Sequence, residues 1–174
     1  MKPMLLLLLP LLGACAAQPP PDALASDDSL RAAAMEAPSV LGNTSRYAGD
    51  PAGAARAAAH MEVLAVGFRY DPVAAPNVAV NWQQLVEMGK VDMRRAVGIA
   101  PGAQGSAVIV QLRRAAAALE AGNRAEAEAA LSGPMFPGGA AATLARLNAL
   151  PYLPRVAEGA GGAVVGMRMI DLKA

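Results

Sequence analysis

The sequence predicts an all-α fold, a small bundle of four or five alanine-rich helices joined in helical hairpins. Alanine, the best helix former, makes up about a quarter of the 174 residues. Aromatic residues, which favour strands, make up only 3%. Apolar residues also recur at helical spacing between glycine and proline residues that end helices. Together these three observations favour helices that pack closely through small side chains.

The clearest predicted helix is Pro51–Arg69. Asp50 is a good N-cap, and Pro51 stands at the first helical position, where its missing N–H costs nothing. One apolar stripe runs along this helix at Ala57, Met61, Leu64 and Phe68. Such a stripe predicts that the helix buries one face in the core.

The ends of the next two predicted helices are also marked by residues that favour helix ends. Asn81 and Gln84 have the spacing of a capping box, and Gly98 suits the position just past a helix end. A third helix is predicted over 103–121. Because Asn123 is placed to cap another helix almost at once, the sequence predicts a tight antiparallel hairpin here.

Three further segments are less regular. A short helix is predicted for Ser29–Ala37, ended by Pro38, and a fifth bundle helix for Gly139–Leu150 with Leu144 and Leu147 inward. The last stretch, Gly159–Leu172, is rich in glycine, which weakens a helix. It is predicted to be a short strand or a loosely packed tail.

The amino terminus has the pattern of a targeting segment. Lys2 precedes a continuous apolar run, Met4–Leu12, interrupted only by Pro10. A run of about nine residues fits the apolar region of a secretory signal peptide. It is too short for a transmembrane helix, which takes about 20 residues. The small residues Gly13 and Ala14 then suit a signal peptidase.

The stretch Leu12-Gly13-Ala14-Cys15 resembles the lipobox of bacterial lipoprotein precursors. That resemblance implies a signal peptide over 1–14, cleavage between Ala14 and Cys15, and lipidation of Cys15. It also implies anchoring at the outer membrane, facing the periplasm, because Ala16 stands where a retention aspartate would be. The alternative interpretation is an ordinary secretory signal with a free Cys15.

The mature chain then divides into a tether and a domain. Residues 15–28 hold the lipidated cysteine and a proline-rich tether, in which Pro19–Pro21 favour extended polyproline II. Residues 29–174 form the helical domain. The mature chain as a whole, about 160 residues, is long enough for one domain with its own core.

Composition restricts the partners and cofactors. Without Lys2 the chain has as many basic as acidic residues, so its charge gives no reason to expect nucleic acid as a partner. One histidine, His60, and one cysteine cannot supply the four ligands of a structural zinc site. The sequence predicts neither a metal nor another cofactor.

No convergent set of catalytic residues appears, so the sequence predicts a non-catalytic protein rather than an enzyme. We expect a lipid-anchored envelope protein with a structural or protein-binding role, and an envelope protein as its partner. One alternative is a helical carrier or sensor of a small apolar ligand, with a groove near Trp82 and Tyr70. A second alternative is a hydrolase that uses His60 with a distant acidic residue.

Overall fold

The computed structural model describes residues 27–172, and within them the fold is all-α, as predicted. The predicted signal peptide, cleavage site, lipidated Cys15 and most of the tether lie outside the described residues. A 3₁₀ helix, Thr44–Tyr47, joins the first two of the eight α-helices in this part of the chain. The α-helices are α1 Asp27–Leu41, α2 Pro51–Tyr70, α3 Ala74–Asn77, α4 Val80–Val97, α5 Gly105–Glu120, α6 Arg124–Ala130, α7 Gly139–Asn148 and α8 Pro154–Asp171.

The predicted number of helices, four or five, is too low. Beyond the bundle helices and the short helix predicted at Ser29–Ala37, one addition is α3, a single turn that the sequence pattern does not reveal. The buried carboxylate of Asp71 creates it by accepting hydrogen bonds from the N–H groups of Val73 (2.9 Å) and Ala74 (2.7 Å). A helix this short leaves no apolar periodicity to detect.

The other addition is α8, where a strand or loose tail was predicted, and that prediction is wrong. Three of the four glycines of α8, which are Gly159, Gly162 and Gly166, face α4 or the residues just before it and allow a very close approach. A Cβ added at Gly159 would lie 3.0 Å from the backbone oxygen of Leu85, and one added at Gly89 of α4 would lie 2.9 Å from the oxygen of Arg155. Tertiary packing therefore overrides the low helix propensity of glycine.

Two predicted helix boundaries are also wrong. α1 begins at Asp27, inside the predicted tether, and it continues past Pro38 to Leu41, whose side chain is fully buried. Proline removes only one N–H within this final turn, so packing of Leu41 outweighs the loss. α4 begins at Val80 with Ala79 as N-cap, so Asn81 is not its cap.

The centre of the bundle is α2, which packs against α1, α4, α5 and α7. Its predicted stripe is buried, but so are most residues on its other faces, since a helix surrounded by neighbours is apolar all round. The predicted hairpin is confirmed in α5 and α6, where the Asn123 side chain accepts a hydrogen bond from the N–H of Glu126 (3.1 Å). Leu144 and Leu147 of α7 are buried as predicted.

Candidate functional site

A cleft of about 680 Å³ lies beside the second half of α2. Its walls come from α2, from α4 and from the segment 101–106 that leads into α5. Leu30, Val63 and Val66 give it apolar surface, while Lys90 and Gln104 add polar groups. The size lies within the range of about 300–1,000 Å³ that small-molecule sites occupy.

A buried ion pair forms the floor of this cleft. Glu62 of α2 is 1% exposed and Arg94 of α4 is 5% exposed. The pair is bidentate: Arg94 Nε donates to Glu62 Oε1 over 2.6 Å, and Nη2 donates to Oε2 over 2.7 Å. This fork geometry is the strongest arrangement available to an arginine and a carboxylate.

The same guanidinium also holds the segment between α4 and α5. Its Nη1 donates to the backbone oxygens of Pro101 (2.7 Å) and Ala103 (2.9 Å), with a longer contact to Ala100 (3.4 Å). The hydrogen bonds that Arg94 donates to Glu62 raise the pKa of Arg94 above its ordinary value. Arg94 is therefore fixed as a cation that ties α2, α4 and the start of α5 together.

Space around the ion pair is tight. A Cβ added at Gly105, the first residue of α5, would lie 2.6 Å from the side chain of Val66 and 3.2 Å from Oε2 of Glu62. No larger residue fits there without moving Val66. Because Arg94 already occupies both oxygens of Glu62, this carboxylate is not positioned to act as a general base.

The remaining charged groups of the cleft also have partners. Asp71 caps α3, and Lys90 pairs with Glu87 over 2.5 Å. The guanidinium of Arg69 lies 5.6 Å from the ring centroid of Tyr70, a cation–π distance. Among the described residues, every buried side-chain nitrogen and oxygen has a hydrogen-bond partner.

His60 lies outside the cleft, on the face of α2 that meets α1. Its Nε2 is 2.8 Å from the backbone oxygen of Ala33. Burial lowers the pKa of His60, and the nearby Arg113 acts in the same direction, while the hydrogen bond to Ala33 and the charge of Glu36 oppose it. The ring is thus engaged in holding α1 against α2.

Of the two predicted groove residues, Tyr70 lines both the cleft and a smaller cavity of about 460 Å³, and Trp82 lines neither. Tyr70 is exposed at the end of α2. Trp82 is half-buried on α4 and faces Gly162 and Gly166 of α8.

Sequence reasoning missed the Glu62–Arg94 pair. A signal was present, since Glu62 is a single acidic residue within a helix that is otherwise almost wholly apolar. Such a residue requires a partner when the helix is central. Nothing in the sequence indicates that the partner is Arg94, which is 32 positions away.

Comparison with known proteins found no matching family model, no matching curated protein and no matching solved structure. In the stretch 27–172 no group of three or more histidine, cysteine, aspartate or glutamate residues is arranged to hold a metal ion. Over the same stretch, no helix is both long enough and apolar enough to cross a bilayer.

Proposed function

We propose that this protein is a bacterial lipoprotein, anchored through Cys15 and facing the periplasm from the outer membrane, with a non-catalytic structural or protein-binding role. The lipobox-like Leu12–Cys15 is the observation that carries the proposal. The bundle supports the non-catalytic part, because the polar side chains have structural contacts: Glu62 and His60 join helices, and Asp71 caps α3.

The lipid anchor determines how strongly such a protein must bind its partner. A diacylglycerol adds about 0.8 kcal/mol per buried CH₂, and two acyl chains are enough for stable anchoring. Confinement next to the membrane raises the effective concentration toward a membrane partner, to about millimolar for short linkers. Modest contacts with an envelope protein then suffice for association.

Fatty-acid labelling of cells tests the anchor. The Cys15→Ala variant should accumulate as unprocessed precursor without label, because the acyl acceptor is missing. Ser29→Ala, which leaves Leu12–Cys15 intact, is the control and should label normally. Labelling of Cys15→Ala at the wild-type level would refute the lipoprotein proposal.

Cross-linking in cells tests the partner. The wild-type protein should yield one or a few defined envelope proteins, and a secreted form without the anchor should lose them while keeping its helical circular dichroism. Full complementation of a deletion by the unanchored form, with no cross-linked partner, would contradict the binding role. If the purified protein converted a substrate and His60→Gln abolished that conversion, the protein would instead be an enzyme.

The cleft favours a second candidate function, carriage of a small apolar ligand. Its volume of about 680 Å³ and its apolar wall at Val63 and Val66 support this alternative. Val66→Phe should fill the cleft and weaken binding of a fluorescent fatty-acid analogue at least about tenfold, or about 1.4 kcal/mol. Val110→Phe, exposed on α5, is the matched control and should bind normally. Equal binding by both variants would exclude the cleft as the ligand site.

A further inference from the structure

Four helix ends meet at one end of the bundle, here called the tether end. Arg31 near the start of α1 pairs with Asp171 at the end of α8. Leu30 of α1 packs on Gly67 near the end of α2. Val78, just before α4, lies against Gly166 of α8. The tether end therefore comprises the start of α1, the end of α2, α3, the start of α4 and the end of α8.

The tether end exposes several large apolar side chains. Among the described residues, the three most exposed large apolar side chains all lie there: Leu172 at 81%, Tyr70 at 71% and Val80 at 65%. Met169 and Val73 are also exposed at this end. Large exposed apolar side chains in one region mark an interaction surface rather than the scattered exposure of an ordinary surface.

The chain enters the domain at this same end. Cys15 precedes Asp27 by twelve residues, and no chain of that length extends beyond about 40 Å. By contrast, α4 and α8 have 18 residues each, so the opposite end of the bundle lies about 27 Å farther away. An anchor at Cys15 would therefore keep the tether end within about 40 Å of the bilayer, close enough for this end to reach the lipid surface.

We propose that the tether end is a lipid-docking surface, which inserts Tyr70, Val80 and Leu172 into the boundary between head groups and acyl chains. This inference rests on the proposed anchor at Cys15. A tyrosine suits this boundary because its ring is apolar and its hydroxyl is polar. Exposed Arg69 and Arg168 can extend toward phosphate groups while their stems cover apolar surface.

Apolar contact rather than net charge would drive docking. The sequence around this end is balanced in charge, with four basic residues and four acidic ones: Arg31, Arg69, Arg168 and Lys173, against Asp27, Asp28, Asp71 and Asp171. A balanced surface has no long-range attraction for anionic lipid. We therefore expect docking on zwitterionic phosphatidylcholine, with little dependence on salt.

Fluorescence quenching in vesicles tests the surface. Because the only cysteine of the chain would be acylated, an introduced cysteine is the only thiol free for a fluorophore. The full acylated chain with Val80→Cys is compared with Tyr152→Cys, which lies exposed at the opposite end, just before α8. Both are reconstituted in phosphatidylcholine vesicles that contain spin-labelled phospholipid.

We expect about threefold stronger quenching at position 80 than at position 152, because a docked apolar face lies about 5–10 Å into the boundary. Equal quenching at the two positions would overturn the proposal. The proposal would also be overturned if a second copy of the chain shielded the fluorophore at position 80 and the spin-labelled lipid left it unquenched.

Failure of the anchor can be distinguished from failure of the surface. Mass spectrometry of the purified chain shows directly whether Cys15 is acylated. If it is not, both labelled variants are repeated on the Cys15→Ala background with excess vesicles. Stronger quenching at position 80 would then still support lipid docking, and equal quenching would overturn it.

Discussion

Replacing Glu62 by glutamine would leave Arg94 charged and without its counter-ion at the floor of the cleft. Breaking a buried ion pair by removing one partner costs about 3–5 kcal/mol, because the other charge remains buried. Such a loss is large beside the 5–15 kcal/mol or so that stabilises a typical domain. For a domain of about 150 residues it lowers Tm by about 6–20 °C.

Urea unfolding followed by circular dichroism measures this cost. Glu128→Gln is the matched control, since Glu128 accepts a hydrogen bond from Arg124 over 2.8 Å at the surface. An exposed pair four residues apart on a helix contributes only about 0.3–0.5 kcal/mol. If Glu62→Gln cost no more than Glu128→Gln, the reasoning on burial would be refuted.

A double variant distinguishes the interaction between Glu62 and Arg94 from the effect of removing each charge alone. Glu62→Met and Arg94→Met together remove both buried charges, so the double variant should lose about 2 kcal/mol less than the sum of the single losses. Strict additivity would contradict a direct interaction. Some loss should remain, because the backbone oxygens of Pro101 and Ala103 would lack their arginine donor.

Two further predictions concern the helix contacts. Gly89→Ala should destabilise the fold by about 1–3 kcal/mol, because the added Cβ meets the backbone of α8. Gly161→Ala should stabilise the fold by about 0.5–1 kcal/mol, because a Cβ there meets nothing within 4 Å. Thermal unfolding measures both changes, and the same sign for both variants would contradict the close crossing of α4 and α8. Since burial lowers the pKa of His60, the unfolded chain is protonated first as pH falls through about 6.5, and the unfolding free energy should decrease there. His60→Gln should weaken this dependence in urea titrations, and an unchanged slope would contradict it.

Local signals in the sequence were enough to predict the helix ends that they control. Asp50 and Asn123 cap α2 and α6 as predicted, and Gly98 ends α4 in the left-handed conformation with φ of 87°. These contacts join residues close in sequence, so a short pattern contains all the partners. The all-α fold follows for the same reason.

Features that depend on distant partners could not be predicted. Taken alone, the glycines of α8 predict a loop, because glycine has a low helix propensity. What they contribute is room for α4 to approach closely, and this is apparent only from the packing of the two helices. The sequence of α2 indicates that Glu62 needs a partner, but no local signal identifies Arg94, which is 32 positions away. Likewise, only the fold shows that Tyr70, Val80 and Leu172 are exposed at one end.

The alanine content of the interior has a consequence for how the helices are aligned. Almost half of the buried apolar residues between 30 and 172 are alanine, which loses no rotamer entropy on burial. Alanine faces are also smooth, so they discriminate poorly between neighbouring registers of two helices. Directional contacts must then select the register, as the Glu62–Arg94 pair does for α2 and α4, and His60 with Ala33 does for α1 and α2.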